Sequence, residues 1–114
     1  MPKNDFVYVG HMLDLARQVV AKTEGLSRSQ YDSDHNLRLA LTHLLQVIGE
    51  AARRVSQEFR DLHPEVPWKA IVGMRHRVVH DYMNVDEQIV WDTATQEILP
   101  LLRVLEKLVP PDQA

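Results

Sequence analysis

Apolar residues recur along this chain at intervals of three and four, the period of one helical face, and proline or glycine interrupts the pattern at only a few places. Phe6, Val9, Leu13, Ala16 and Val20 mark a first helix from about Asp5 to Lys22, with Asn4 or Asp5 placed to cap it. A loop follows through Thr23, Glu24 and Gly25 to Tyr31. A long second helix is then expected from Asp32–Asp34 to about Phe59, with Leu37, Leu41, Leu44, Leu45, Ile48, Ala52, Val55 and Phe59 as its buried stripe. Pro64 and Pro67 end that run, and Pro67 suits the first position of a short third helix reaching about His80. Trp68, Ile71, Val72 and Val79 are its expected buried residues. Asn84-Val85-Asp86-Glu87 has capping-box spacing and opens a fourth helix to about Val109, which Pro100 should kink or split. The pattern predicts an all-α fold, an antiparallel bundle of four main helices. Its single domain spans residues 1–114, with a core of about 5–110.

Composition narrows the class. At 114 residues, with 45% hydrophobic and 25% charged residues, the chain has ordinary globular makeup and enough apolar surface for one modest core. The absence of cysteine excludes disulfides and thiolate chemistry and is compatible with a reducing compartment. No apolar run approaches the roughly 18 residues of a membrane span, and Met1–Phe6 does not resemble a leader, so a cytoplasmic location without membrane contact is expected. The net charge of −3 offers no global attraction to phosphate, so nucleic-acid binding would need a local basic patch.

The candidate chemistry is crowded into one segment: Arg75, His76, Arg77, His80, Asp81 and Tyr82 fall within eight positions. A solvated helix end often carries such residues. The types nonetheless suit phosphodiester chemistry, because arginine offers a fixed charge and a donor fork while histidine passes protons near neutral pH. Residues five apart on a helix diverge by roughly 140°, so Arg75 and His80 share one phosphate only if the helix frays or tightens, or if a second subunit completes the site. Tyr82 would return to the Arg75 face if helical geometry persisted. His76 and His80 have the four-residue spacing of a metal pair, but Asp81, His43 or Glu50 would have to supply another ligand and nothing in the pattern gathers them. No metal or cofactor is therefore expected.

The remaining features have bland explanations. His11, His35, His43 and His63 read as surface or half-buried residues. Gly49 suits close helix packing. Glu50 either orients Arg75 or Arg77 or is a solvated acid, and Arg53, Arg54 and Arg60 form a basic edge that is secondary as an RNA contact. Trp68 and Trp91 read as core or interface anchors rather than stacking platforms for bases.

Taken in order, Ile48-Gly49-Glu50-Ala51-Ala52-Arg53, Val66-Pro67-Trp68, the segment Ile71 to Tyr82, Val90-Trp91 and Ile98-Leu99-Pro100 resemble the HepT-like toxins of the HEPN (higher eukaryotes and prokaryotes nucleotide-binding) superfamily. The resemblance covers residues 5–110. Arg-x4-His alone would be weak, but the following x-Tyr and the upstream Pro-Trp make it specific. It implies a HEPN-like helical bundle, commonly a homodimer in which two Arg-x4-His motifs line a shared cleft. It implies the toxin of a bacterial or archaeal toxin–antitoxin system, a metal-independent endoribonuclease with RNA as substrate. Arg75 and His80 match the catalytic motif. His76 stands where the family often has Asn and takes a phosphate-positioning or tuning role. The implied partner is a minimal nucleotidyltransferase antitoxin that transfers AMP to Tyr82. Two other readings use the same residues: a non-catalytic nucleotide-binding or helper subunit of a nucleotidyltransferase, and a purely structural helical dimer.

Overall fold

The computed structural model describes residues 4–81 and 84–109, without the side chains of residues 80 and 81. The expected all-α architecture is present, and each of the four helical regions forms. The last three are subdivided, the second where Ser56 caps a new helix, the third at Gly73 and the fourth by a π turn.

Helix α1 spans Asn4–Thr23 and buries Val9, Met12, Leu13, Ala16 and Val19. Phe6 and Val20, expected on the buried stripe, are exposed and half-buried respectively. Asp5 does not serve as the expected cap. Its buried carboxylate accepts hydrogen bonds from the Ser56 amide at 2.8 Å and the Ser56 hydroxyl at 2.7 Å. The start of α1 is thereby tied to the end of the long helix His35–Arg54, which fixes the pair as antiparallel. Gly25, at φ 71°, ends α1 with the left-handed turn that glycine adopts without strain.

The expected loop to Tyr31 contains a short helix, α2 (Arg28–Ser33), and the expected second helix starts at Asp34 as predicted but is two helices, α3 (His35–Arg54) and α4 (Gln57–Leu62). A capping box starts α2, with Ser27 and Gln30 satisfying each other's backbone amides. Asp34 divides α2 from α3, because its amide closes α2 onto the Tyr31 carbonyl while its carboxylate caps α3 at the Leu37 amide. Val55 turns extended, and the Ser56 hydroxyl accepts from the Phe59 amide at 3.1 Å to start α4. The expected buried stripe survives the break at Val55–Ser56, with Leu41, Leu44, Leu45, Ile48, Ala52, Val55 and Phe59 buried and Leu37 half-buried.

The third region is α5 (Trp68–Val72) and α6 (Met74–Val78), joined at Gly73. Pro67 occupies the cap position rather than the first helical one. The helix does not reach His80. Two consecutive β-branched valines turn the chain into strand β1 (Val79–Asp81), which pairs antiparallel with β2 (Asn84–Val85), Val79 opposite Val85. Asn84 therefore lies in a strand and is not the cap of the fourth region. Asp86 takes that role, accepting from the Ile89 amide at 3.1 Å, while its own amide donates to the Val78 carbonyl at 2.8 Å.

Helix α7 (Glu87–Asp92) runs through a π turn at Thr93–Glu97 into α8 (Ile98–Leu108). This is the interruption expected from Pro100. The Ile98 amide reaches the Thr93 carbonyl five residues back, and the proline sits in the first turn of α8, where its missing N–H costs least. The core is built from α1, α3, α5, α6, the π turn and α8, around Leu13, Leu41, Leu45, Ile48, Val78, Ile98 and Leu105. Trp68 and Trp91 pack as anchors. The Trp68 indole donates to the His63 carbonyl at 2.9 Å, and Trp91 lies 5.3 Å from the Tyr31 ring. Among the described residues, no helix is long and apolar enough to cross a membrane.

Candidate active site

Packing places the polar segment before any chemistry is considered. Met74 and Val78 of α6 point into the core, four apart on one face, which turns Arg75 and His76 to solvent and leaves Arg77 half-buried. The α5–α6 pair lies directly on α3, where a Cβ added to Gly49 would stand 2.9 Å from the Ile71 carbonyl oxygen. Gly49 thus has the packing role its position suggests, and it brings Glu50 alongside the motif.

The ionic contacts sort the basic residues. Arg77 forms a forked pair with Glu97 of the π turn, at 3.0 and 3.4 Å. Arg53 grips Glu50 at 2.6 Å, and Arg54 lies 3.7 Å from the same carboxylate. The Arg53 hydrogen bond, then the charges of Arg53, Arg54 and Arg75, hold the Glu50 carboxyl below the usual carboxylate range against the opposing effect of desolvation. Glu50 therefore feels Arg75 electrostatically while its hydrogen bonds go to its own helix. Arg60 is committed to the backbone, donating to the carbonyls of Ala52 at 3.0 Å and Arg53 at 2.9 Å at the end of α3. Among the described residues, Arg75 and His76 have no hydrogen-bond or ion-pair partner. Their donors are available to a ligand.

Beyond Arg75 the chain leaves helical geometry at Val79, at φ −128° and ψ 111°, so the 140° divergence expected for Arg75 and His80 on a straight helix does not apply. The same change removes the helical premise for a His76–His80 metal pair. His80 enters β1 opposite the irregular step between Val85 and Asn84, and its side chain lies outside the described atoms. Tyr82 lies outside the described residues. Among those described, no three His, Asp or Glu side chains gather as metal ligands would. The sequence alone missed Glu97 as the partner of Arg77. No periodic signal links residues 20 apart across a hairpin and a π turn.

Residues 12–108 match the family model described as "Ribonuclease HepT-like". The chain is similar to the protein named "Putative RNase TTE0752" of Caldanaerobacter subterraneus subsp. tengcongensis, at 33% identity over 90% of this chain and 91% of the relative. "Putative RNase MJ1216" of Methanocaldococcus jannaschii is 29% identical over 96% of this chain and 91% of its own length. "Probable ribonuclease HepT" of Thermococcus cleftensis is 36% identical over 66% of this chain and 68% of the relative. No solved structure gives a significant match.

Proposed function

The chain belongs to the HepT-like ribonuclease family, and from that premise we propose that it is a metal-independent endoribonuclease, the toxin of a toxin–antitoxin pair, that cuts RNA with Arg75 and His80. One observation carries the reading. Arg75 is exposed and without a partner among the described residues, on a helix locked to α3 at Gly49, and the chain then turns directly into the hairpin that bears His80. A guanidinium with unspent donors on a rigid support suits a phosphate in flight, whereas Arg77, bound to Glu97, does not.

In this reading Arg75 stabilises the negative charge that builds on the phosphoryl oxygens as the 2′-hydroxyl attacks. His80 moves a proton, taking it from the 2′-hydroxyl or returning it to the leaving 5′-oxygen. The products are a 2′,3′-cyclic phosphate and a free 5′-hydroxyl. His76, exposed on α6 one residue after Arg75, holds a neighbouring phosphate. A homodimer brings two copies of the motif to one cleft, so that one His80 serves as base and the other as acid. The partner that silences the enzyme is a nucleotidyltransferase antitoxin that adds AMP to Tyr82. That modification places bulk and negative charge two residues from His80 and excludes the substrate phosphate.

The test joins mass and activity. Protein purified alone should have its unmodified mass and cut RNA. Protein co-expressed with its nucleotidyltransferase should gain one or more AMP groups at Tyr82 and lose cutting, and Tyr82→Phe should escape both. An unmodified protein without nuclease activity contradicts the proposal.

A further inference from the structure

The groove between α1 and α3 borders the candidate site. It encloses about 440 Å³, within the roughly 300–1,000 Å³ of small-ligand pockets. Tyr8, His11, Asp14 and Gln18 of α1 face Glu50 and Arg54 of α3 across it. Glu50 lines the groove and follows Gly49, where an added Cβ would lie 3.7 Å from the Cβ of Met74, the residue before Arg75, so the two places adjoin. The rings of Tyr8 and His11 meet edge to face at 6.2 Å. Asp14 is exposed and, among the described residues, has no hydrogen-bond or ion-pair partner.

We propose that this groove is the base-recognition subsite of the nuclease and that it selects guanine at the nucleotide adjoining the scissile phosphate. The inference rests on the reading of Arg75 as the phosphate-binding group. Single-stranded RNA is read by stacking its bases on aromatic side chains and pairing their Watson–Crick edges with polar ones. The Tyr8–His11 pair supplies the rings. The edge is chosen by Asp14, because an ionised carboxylate only accepts hydrogen bonds. Guanine alone presents two adjacent donors, N1–H and the N2 amino group, that match two carboxylate oxygens. Adenine and cytosine set one amino donor beside a bare ring nitrogen, and uracil flanks its N3–H with two carbonyl oxygens. Each of these turns a lone pair toward Asp14. A carboxylate beside a polyanion is otherwise a liability, so it discriminates as much by repelling the wrong base as by holding the right one. The Gln18 amide can donate to the guanine O6, and Arg54, 3.7 Å from Glu50, is placed for the next phosphate.

The test uses the unmodified full chain and unstructured RNA oligonucleotides that differ only in the base at one position. Wild type should cut beside guanine at least about tenfold faster than beside adenine, the effect of a charged, paired recognition contact. Asp14→Asn should bring the two rates to within about twofold, by slowing cleavage at guanine and raising it at adenine as the repulsion is removed. Equal wild-type rates, or a preference that survives Asp14→Asn, would overturn the proposal. An NMR titration with guanosine 3′-monophosphate and adenosine 3′-monophosphate reads the groove without catalysis. Shifts along residues 8–18 and 47–54 with the guanosine nucleotide alone support the subsite. Shifts confined to α6, or a homodimer that buries Tyr8 and Asp14, contradict it. If wild type cuts none of the oligonucleotides, the nuclease reading falls, and the titration then decides whether the groove binds guanine on its own account.

Discussion

A Cβ on Gly49 would stand 2.9 Å from the backbone carbonyl oxygen of Ile71, so α3 and the motif-bearing α5–α6 pair touch at backbone distance. That contact sets where Arg75 stands. Gly49→Ala should force the two helices apart and destabilise the protein by about 1–3 kcal/mol, the usual cost of overpacking. Urea unfolding measures the loss, and RNA cleavage should fall further than stability alone explains because Arg75 moves with α6.

Tyr31 is fully buried and donates from its phenol to Glu87, whose other oxygen lies 3.6 Å from Arg38. This joins α2 and α3 to α7 just after the hairpin. Burial first, then the Glu87 carboxylate, raises the phenol's pKa well above its usual value. The folded pKa exceeds the unfolded one, so the contribution is complete below about pH 10 and is lost as the pH rises toward the folded value. Tyr31→Phe should cost about 1–2 kcal/mol at neutral pH. It should also flatten the alkaline fall of a stability profile measured by denaturant at successive pH values.

The Asp5 carboxylate accepts twice from Ser56, in a buried setting that joins α1 to the start of α4. Asp5→Ala leaves the Ser56 donors unpaired and should destabilise by about 1–3 kcal/mol. Ser56→Ala removes the α4 cap as well, at about 0.5–2 kcal/mol for the cap alone. Thermal melts of the double variant should show less than the sum of the two losses, since both remove one interaction.

Arg77 and Glu97 form a solvent-facing pair, with side chains 38% and 46% exposed. Such pairs contribute about 0–1 kcal/mol. Arg77→Ala should therefore leave stability nearly unchanged and RNA cleavage within about twofold of wild type, whereas Arg75→Ala should cut the rate by at least about a hundredfold. Single-turnover rates on one RNA separate the two arginines. Equal losses would remove the distinction drawn between them.

Helical periodicity made the fold legible wherever one face is buried. The stripe from Leu41 to Phe59 holds through the chain break at Val55–Ser56, because burial depends on side-chain spacing more than on an unbroken hydrogen-bond ladder. The breaks were legible in principle. Ser27-Arg28-Ser29-Gln30 has capping-box spacing in the expected loop, and Ser56 is a good cap, yet an apolar stripe continuous across Ser56 masks that interruption. The hairpin after Val78 was harder, since β1 and β2 together are too short to show alternation. In the candidate site, the clustering of Arg75, His76 and Arg77 and the packing role of Gly49 could be read from the chain. The division of labour among the arginines could not, because it depends on Glu97 and on the carbonyls of Ala52 and Arg53, which the fold brings within reach.

The central claim is metal-independent cleavage by Arg75 and His80, and end-group analysis of RNA cut in the presence of EDTA tests it most directly. Unmodified wild-type protein should release fragments ending in a 2′,3′-cyclic phosphate, and His80→Ala, with an unchanged circular dichroism spectrum and melting temperature, should release none. Intact RNA with wild type, or cyclic-phosphate fragments at undiminished rate with His80→Ala, would contradict the account.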